Sequence, residues 1–168
     1  MSLDESTAAT DCWVIERLGP DDSKQILSLE NESAPDQKIY ERYDEEALSA
    51  IFSQPNEAGA LGIFENERLI AWGSYRKATG ESGLYEISAV LVARDRRRRH
   101  LGSRILDALL AELRAHQTCQ RIYLTVSPLN EQAVQIYVKK GFSSRALQPD
   151  LYGPGADRVT MFLPIEAP

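Results

Sequence analysis

Leu84-Tyr85-Glu86-Ile87-Ser88-Ala89-Val90-Leu91-Val92 runs directly into Ala93-Arg94-Asp95-Arg96-Arg97-Arg98-Arg99-His100-Leu101-Gly102-Ser103, and the reading of this stretch decides the fold. The first nine residues are mostly aliphatic and aromatic and predict a strand. Beyond the arginines, Leu101, Ile105, Leu106, Leu109, Leu110 and Leu113 recur at helical spacing and predict an amphipathic helix of about four turns. Strand, basic loop, helix start is a layout for holding an anion. The first N–H groups of a helix have no carbonyl partner, the helix dipole is positive there, and Gly102 lets the backbone come close. Guanidinium groups add charge-assisted contacts, although only one or two of the five arginines can reach a single ligand while the others stay solvated. The competing reading of the run is a solvated basic patch.

Working outward toward the C-terminus, Ile122-Tyr123-Leu124-Thr125-Val126 predicts a buried strand. Asn130 then caps a helix through Ala133, Val134, Tyr137 and Val138 to Gly141. Asn130 and Tyr137 stand seven positions apart, nearly two turns, so an amide and a phenol share one face with the small Ala133 between them. One extended ligand could touch all three; the alternative is an ordinary cap and a core tyrosine. A strand after Phe142, a turn at Gly153-Pro154-Gly155 and a last strand over residues 158–163 close the chain. Toward the N-terminus, residues 13–18 predict a first strand, and Ile26, Leu27 and Leu29 a first helix. Residues 31–44 form a polar, acidic connection broken by Pro35, before a second helix through Ala47, Leu48, Ile51 and Phe52. Residues 60–64 and 69–75 then form a hairpin around Glu65-Asn66-Glu67. The fold class is therefore mixed α/β (α+β), in one domain over residues 13–165 behind a loose tail of residues 1–12.

Composition narrows the function. A chain of 168 residues, 43% of them hydrophobic, makes one domain with a real core. Its 25 acidic and 19 basic residues give a net charge of −6, which disfavours a nucleic-acid partner. Cys12 and Cys119 form no CxxC motif, and His100 and His116 offer no zinc spacing, so no metal is expected. No apolar run approaches the length of a membrane span and the first residues lack the pattern of a secretory signal, which predicts a cytoplasmic protein with no membrane association.

Together the two segments resemble the GNAT superfamily, the Gcn5-related N-acetyltransferases. The acetyl-CoA signature of that family, Gln/Arg-x-x-Gly-x-Gly/Ala, is matched by Arg97-Arg98-Arg99-His100-Leu101-Gly102, with His100 in place of the first glycine. The following Asn-x-x-Ala-x-x-x-Tyr-x-x-x-Gly-Phe pattern is met in full from Asn130 to Phe142. The resemblance is specific over residues 84–142 and extends in element order over residues 13–163. It implies a single mixed, mostly antiparallel, twisted sheet of six or seven strands flanked by about four helices. It implies acetyl-CoA as cosubstrate and direct transfer of the acetyl group to a primary amine of a small molecule or peptide. By the same resemblance the strand 84–92 splays from its neighbour, and Val90, Leu91 and Val92 face the pantetheine arm. Arg97, Arg98, Arg99, His100, Leu101, Gly102 and Ser103 hold the diphosphate, Asn130 and Ala133 border the pantetheine, and Tyr137 protonates the departing thiolate.

Some base must deprotonate the amine. Glu86 is the candidate, matching the catalytic glutamate of the histone-modifying members, and strand alternation would turn Glu86, Ser88, Val90 and Val92 to one face. The alternative is a structural ion-pair partner. Acceptor choice in this fold is expected from residues 30–44 and 150–157, where Glu30, Glu32, Asp36, Glu41, Asp44, Asp150, Tyr152 and Asp157 would attract a cationic amine. The fold also admits a homodimer. The rival function is a noncatalytic acyl-CoA-binding sensor of the same fold.

Overall fold

The two strands that anchor the molecule, β2 (Ala58–Glu65) and β3 (Arg68–Lys77), are apolar on both faces, because helices cover both sides of the sheet. They belong to a computed structural model that describes residues 12–33 and 42–166. Before them stand β1 (Trp13–Arg17), a short 3-10 turn, α1 (Ser23–Ser33) and α2 (Glu45–Phe52). After them come β4 (Leu84–Val92), a second 3-10 turn (Arg94–Arg96) and α3 (Leu101–Ala115). The chain closes with β5 (Arg121–Val126), α4 (Glu131–Lys139), β6 (Ser143–Gln148) and β7 (Arg158–Pro164). Residues 1–11, most of the expected tail, lie outside the described residues, as do Pro35, Asp36 and Glu41.

The seven strands form one sheet in the order β1-β2-β3-β4-β5-β7-β6, in which β4 and β5 are the one parallel pair. With four α-helices among the described residues, this is the mixed, mostly antiparallel α/β fold that the sequence predicts.

Two contacts identify the faces of the sheet. The indole Nε1 of Trp72 donates to Glu30 Oε1 at 2.8 Å, which places α1 on one face. A Cβ at the neighbouring Gly73 would come within 2.8 Å of Leu109 Cδ1 and of Ala89 O, so α3 lies on the other face and approaches as closely as a glycine allows. On that side Leu101, Ile105, Leu106, Leu109, Leu110 and Leu113 are all buried, one stripe of the helix. A Cβ at Gly141, just after α4, would lie 3.3 Å from Leu163 Cδ1, and Leu163 alternates with Phe162 along β7. Register through Tyr123 and Phe162 puts Leu163 on the α3 face, so α4 shares it.

Two irregularities shape the centre. Parallel pairing of β4 with β5 covers only Leu84–Arg121, Tyr85–Ile122 and Glu86–Tyr123, after which the strands part. The antiparallel pairing of β3 with β4 shifts register between Ser74 and Tyr75, so that Ser74 opposes Ala89 while Tyr75 opposes Ile87. Ser88 is the extra residue of a β-bulge, and its Oγ lies 2.9 Å from Ser74 Oγ.

Candidate active site in the parted sheet

The parting of β4 and β5 opens a cleft of about 530 Å³ that runs from the start of α3, between the strands and beside α4, to Glu30, Tyr43 and Tyr152 on the α1 face. Of the residues singled out from the sequence, Glu86, Val90, Leu91, Val92, Arg97, Arg98, His100, Leu101, Gly102, Ser103, Asn130, Ala133 and Tyr137 line it. Arg99 does not; its guanidinium lies 3.7 Å from Glu65 Oε1.

The bulge corrects one sequence expectation. Val90 opposes Gly73 and Val92 opposes Ala71, on the α3 face, whereas Glu86 opposes Arg76 on the α1 face. Glu86 and Val90 therefore point to opposite sides, because the residue inserted at Ser88 reverses the alternation between them. Tyr43 secures the bulge by donating its hydroxyl to Ser88 O at 2.6 Å.

At the start of α3, His100 is the N-cap position in the left-handed conformation (φ 59°), with no side-chain cap. This is the signature position where the family has glycine; a side chain in that conformation costs about 1 kcal/mol. Arg104 N donates to His100 O, so helical geometry leaves the N–H groups of Leu101, Gly102 and Ser103 directed out of the first turn. A Cβ on Gly102 would find only Val92 Cγ2, at 3.7 Å. The arginines divide their work. Arg96 bonds Glu65 Oε2 through Nε at 2.8 Å and Nη2 at 2.7 Å, and Arg68 bonds both oxygens of Asp95. Hydrogen bonding from Arg96 holds the Glu65 carboxyl below its ordinary range, and Arg68 does the same for Asp95. Arg97 donates to Ser33 O at 2.7 Å and ties the loop to the end of α1.

Along α4, Asn130 caps the helix by accepting from Ala133 N at 3.3 Å, so what it offers a ligand is its amide N–H₂ group. Tyr137 is 9% exposed. Its setting explains the Gly-Phe pair that follows. Gly141, with φ 94°, donates to Val138 O and Phe142 N donates to Tyr137 O, the paired bonds of a left-handed helix end. The Phe142 ring then packs edge-on against Tyr137 with centroids 5.9 Å apart.

On the opposite face, Glu86 is 6% exposed and accepts from Arg76 Nε at 2.6 Å, at the last rung before the strands part. Burial first, then the Glu86 charge, pushes the neighbouring Tyr123 phenol up to about 12. Several of the acids expected to draw in a cationic acceptor also take part in holding the fold. Glu30 lies inside α1 and is 3% exposed, and Asp44 caps α2 through Ala47 N. Asp150 Oδ1 accepts from Gly155 N, and Asp157 Oδ1 from Asp150 N. Sequence reasoning passed over Tyr43 and Arg158. Arg158 is 2% exposed, lines the cleft and lies over the Tyr152 ring at 4.9 Å. The signal available was the single charge of the last strand, at its first residue.

The sequence model of the acetyltransferase (GNAT) family matches residues 23–142, which takes in every element from α1 to the end of α4. The chain belongs to this family. Solved structures of GNAT relatives share the fold throughout. The ribosomal-protein-S18-alanine N-acetyltransferase from Escherichia coli superposes with a TM-score of 0.77 at 19% identity, covering 93% of this chain and 96% of that one. The structure of yncA from Salmonella typhimurium, with its cofactor acetyl-CoA, gives 0.77 at 18% identity, covering 93% and 95%. A GNAT acetyltransferase from Streptococcus pneumoniae gives 0.79 at 17% identity, covering 92% and 99%. A search of curated proteins finds no significant match to the sequence. Among the described residues of this GNAT chain no group of three or more His, Cys, Asp or Glu is arranged to hold a metal, and no helix is long and apolar enough to cross a membrane.

Proposed function

We propose that this GNAT protein transfers the acetyl group of acetyl-CoA directly to a primary amine, with the coenzyme entering the cleft from the α3 face and the amine from the α1 face. The observation that carries this reading is the early end of the β4–β5 ladder at Glu86–Tyr123, which turns one sheet into a passage joining both faces. The diphosphate is held by the N–H groups of Leu101, Gly102 and Ser103 with Arg97 and Arg98, and the pantetheine lies between Val90–Val92 and the Asn130–Ala133–Tyr137 face of α4.

The uncharged amine attacks the thioester carbonyl carbon; peptide groups on the open side of β4 stabilise the developing oxyanion, a contribution of roughly 3 to 4 kcal/mol per donor in comparable sites. The C–S bond then breaks and Tyr137 gives the thiolate a proton. The proton lost by the amine passes toward Glu86 through water, because Glu86 is the carboxylate of β4 that stands on the α1 face of the cleft. Tyr123 stays protonated through neutral pH and is no base there.

Acetyl-CoA should raise the melting temperature in a titration, since a ligand of the folded state alone must do so. With an amine panel, Tyr137→Phe should lower kcat on the order of 100-fold while the acetyl-CoA melting shift is retained. A melting shift without turnover of any amine would instead identify an acyl-CoA sensor.

A further inference from the structure

Ser88 is the one residue of β4 without a register partner on either side: β3 opposes Ile87 and Ala89 but skips it, and the ladder with β5 ends at Glu86. Two hydroxyls hold it from different directions. Ser74 Oγ, 2.9 Å from Ser88 Oγ, fixes the side chain, whereas Tyr43 donates to Ser88 O at 2.6 Å and fixes the backbone. The carbonyl of Ser88 and the N–H of Ala89 belong to one planar peptide, so a bond at the oxygen end orients the whole unit. It also polarises that unit and strengthens the N–H at its other end as a donor. Ser88, Ala89 and Val90 all line the cleft.

The phenol that makes this bond is itself mounted on a fixed platform. The ring of Tyr43 meets Trp72 edge-on, with centroids 5.0 Å apart and planes at 87°. Trp72 is fully buried, and its indole Nε1 donates to Glu30 Oε1 at 2.8 Å. Tyr43 thus stands just before α2, rests on β3 and reaches β4, with its hydroxyl aimed before any ligand arrives.

We propose that Tyr43 is a positioning residue for acetyl transfer: through Ser88 O it sets the tilt of the bulge peptide, and with it the aim of the β4 peptide donors at the thioester oxygen. It acts through the backbone and not by contact with the amine. The inference rests on the acetyl-transfer reading. Donors that meet developing charge are effective when their orientation is fixed in advance, and a bulge without ladder partners is the part of β4 that most needs an outside hold. Tyr43 gives up no proton; its hydrogen stays shared with Ser88 O while charge on the thioester oxygen rises and falls.

The test uses the full chain with acetyl-CoA and an amine that it turns over. Tyr43→Phe keeps the ring on Trp72 and removes only the hydroxyl, and a retained acetyl-CoA melting shift confirms that the variant is folded. Its kcat should fall about 10-fold, a fraction of the hundred-fold or more lost with an oxyanion donor itself, while KM for the coenzyme and for the amine each stay within about twofold. With acetyl-CoA carrying carbon-13 at the thioester carbonyl and no amine present, the carbonyl stretch of the bound coenzyme should move to higher frequency in Tyr43→Phe. Packing alone would not move it. A raised KM for the amine with kcat retained would make Tyr43 an acceptor contact and overturn the inference. A lower melting temperature with kcat and the carbonyl stretch unchanged would overturn it too, leaving turnover and acetyl-CoA binding intact. Absence of an acetyl-CoA melting shift in the unmodified chain would overturn the acetyl-transfer reading and this inference together.

Discussion

Two helices begin on the rim of the same cleft and are finished in opposite ways. At the start of α4, Asn130 folds its own carbonyl oxygen onto Ala133 N, so the helix satisfies itself. At the start of α3 the N-cap residue is His100, left-handed and without a side-chain bond, in a loop carrying Arg97 and Arg98. A self-capped start stabilises the fold whether or not a ligand is present. An uncapped start beside guanidinium groups keeps its donors and its dipole for an anion, at some expense in stability. The difference between these two helix starts lies in which one keeps its backbone donors open, a distinction that burial does not draw, since both line the cleft.

The strongest way to break the contrast is to give α3 an anion of its own. Gly102→Asp has room for its Cβ beside Val92, and a carboxylate in the first turn should raise stability by about 0.3 to 1 kcal/mol. The same carboxylate opposes a diphosphate, so acetyl-CoA affinity should fall on the order of 100-fold by calorimetry. Gain in one with loss in the other is the expected signature. Next in size, Arg98→Ala should weaken acetyl-CoA about 10-fold, as for loss of one charge-assisted contact, whereas Arg99→Ala should change it little because Arg99 is turned to Glu65.

Asn130→Ala tests the self-capped side, and the expected loss is about 1 kcal/mol of stability, read as a melting shift of a few degrees. The smallest effect concerns acid. Because Arg96 depresses the Glu65 carboxyl in the folded state, the clamp contributes fully above the unfolded value near ~4.3 and is lost only as pH falls through the lower folded value. Melting temperature and acetyl-CoA affinity should therefore hold through neutral pH and decline together below about pH 4. Glu65→Gln should lessen that decline, leaving the part carried by Asp95, and show the looser loop at every pH.

The sequence made the framework readable because its signals are local. Apolar runs such as Ile122–Val126 in β5 mark strands, the leucine stripe of α3 marks a helix, and the spacing from Asn130 to Tyr137 places both on one side of α4. What escaped reading depends on partners distant in the chain. The bulge at Ser88 leaves no trace in Ile87-Ser88-Ala89, which reads as unbroken strand, yet it sends Glu86 and Val90 to opposite faces. Arg96 and Arg99 are indistinguishable in sequence from Arg97 and Arg98 until Glu65, some thirty residues earlier, is folded beside them. Glu30 reads as part of an acidic connection, and only the indole of Trp72 reveals it as an inward-facing helix residue. Arg158 lies over the ring of Tyr152 from the preceding loop, a contact that no periodicity announces.

The parted strands amount to an unfinished sheet edge kept indoors. An exposed edge of this kind invites pairing with other chains and aggregation. Here α3 and α4 shelter it on one side and Tyr43 and Tyr152 stand at the other, so that a slender, peptide-like arm can reach its hydrogen-bonding groups while a whole foreign strand meets walls on both sides. The protein thus obtains the adhesive surface of a sheet margin without presenting it to its neighbours in solution.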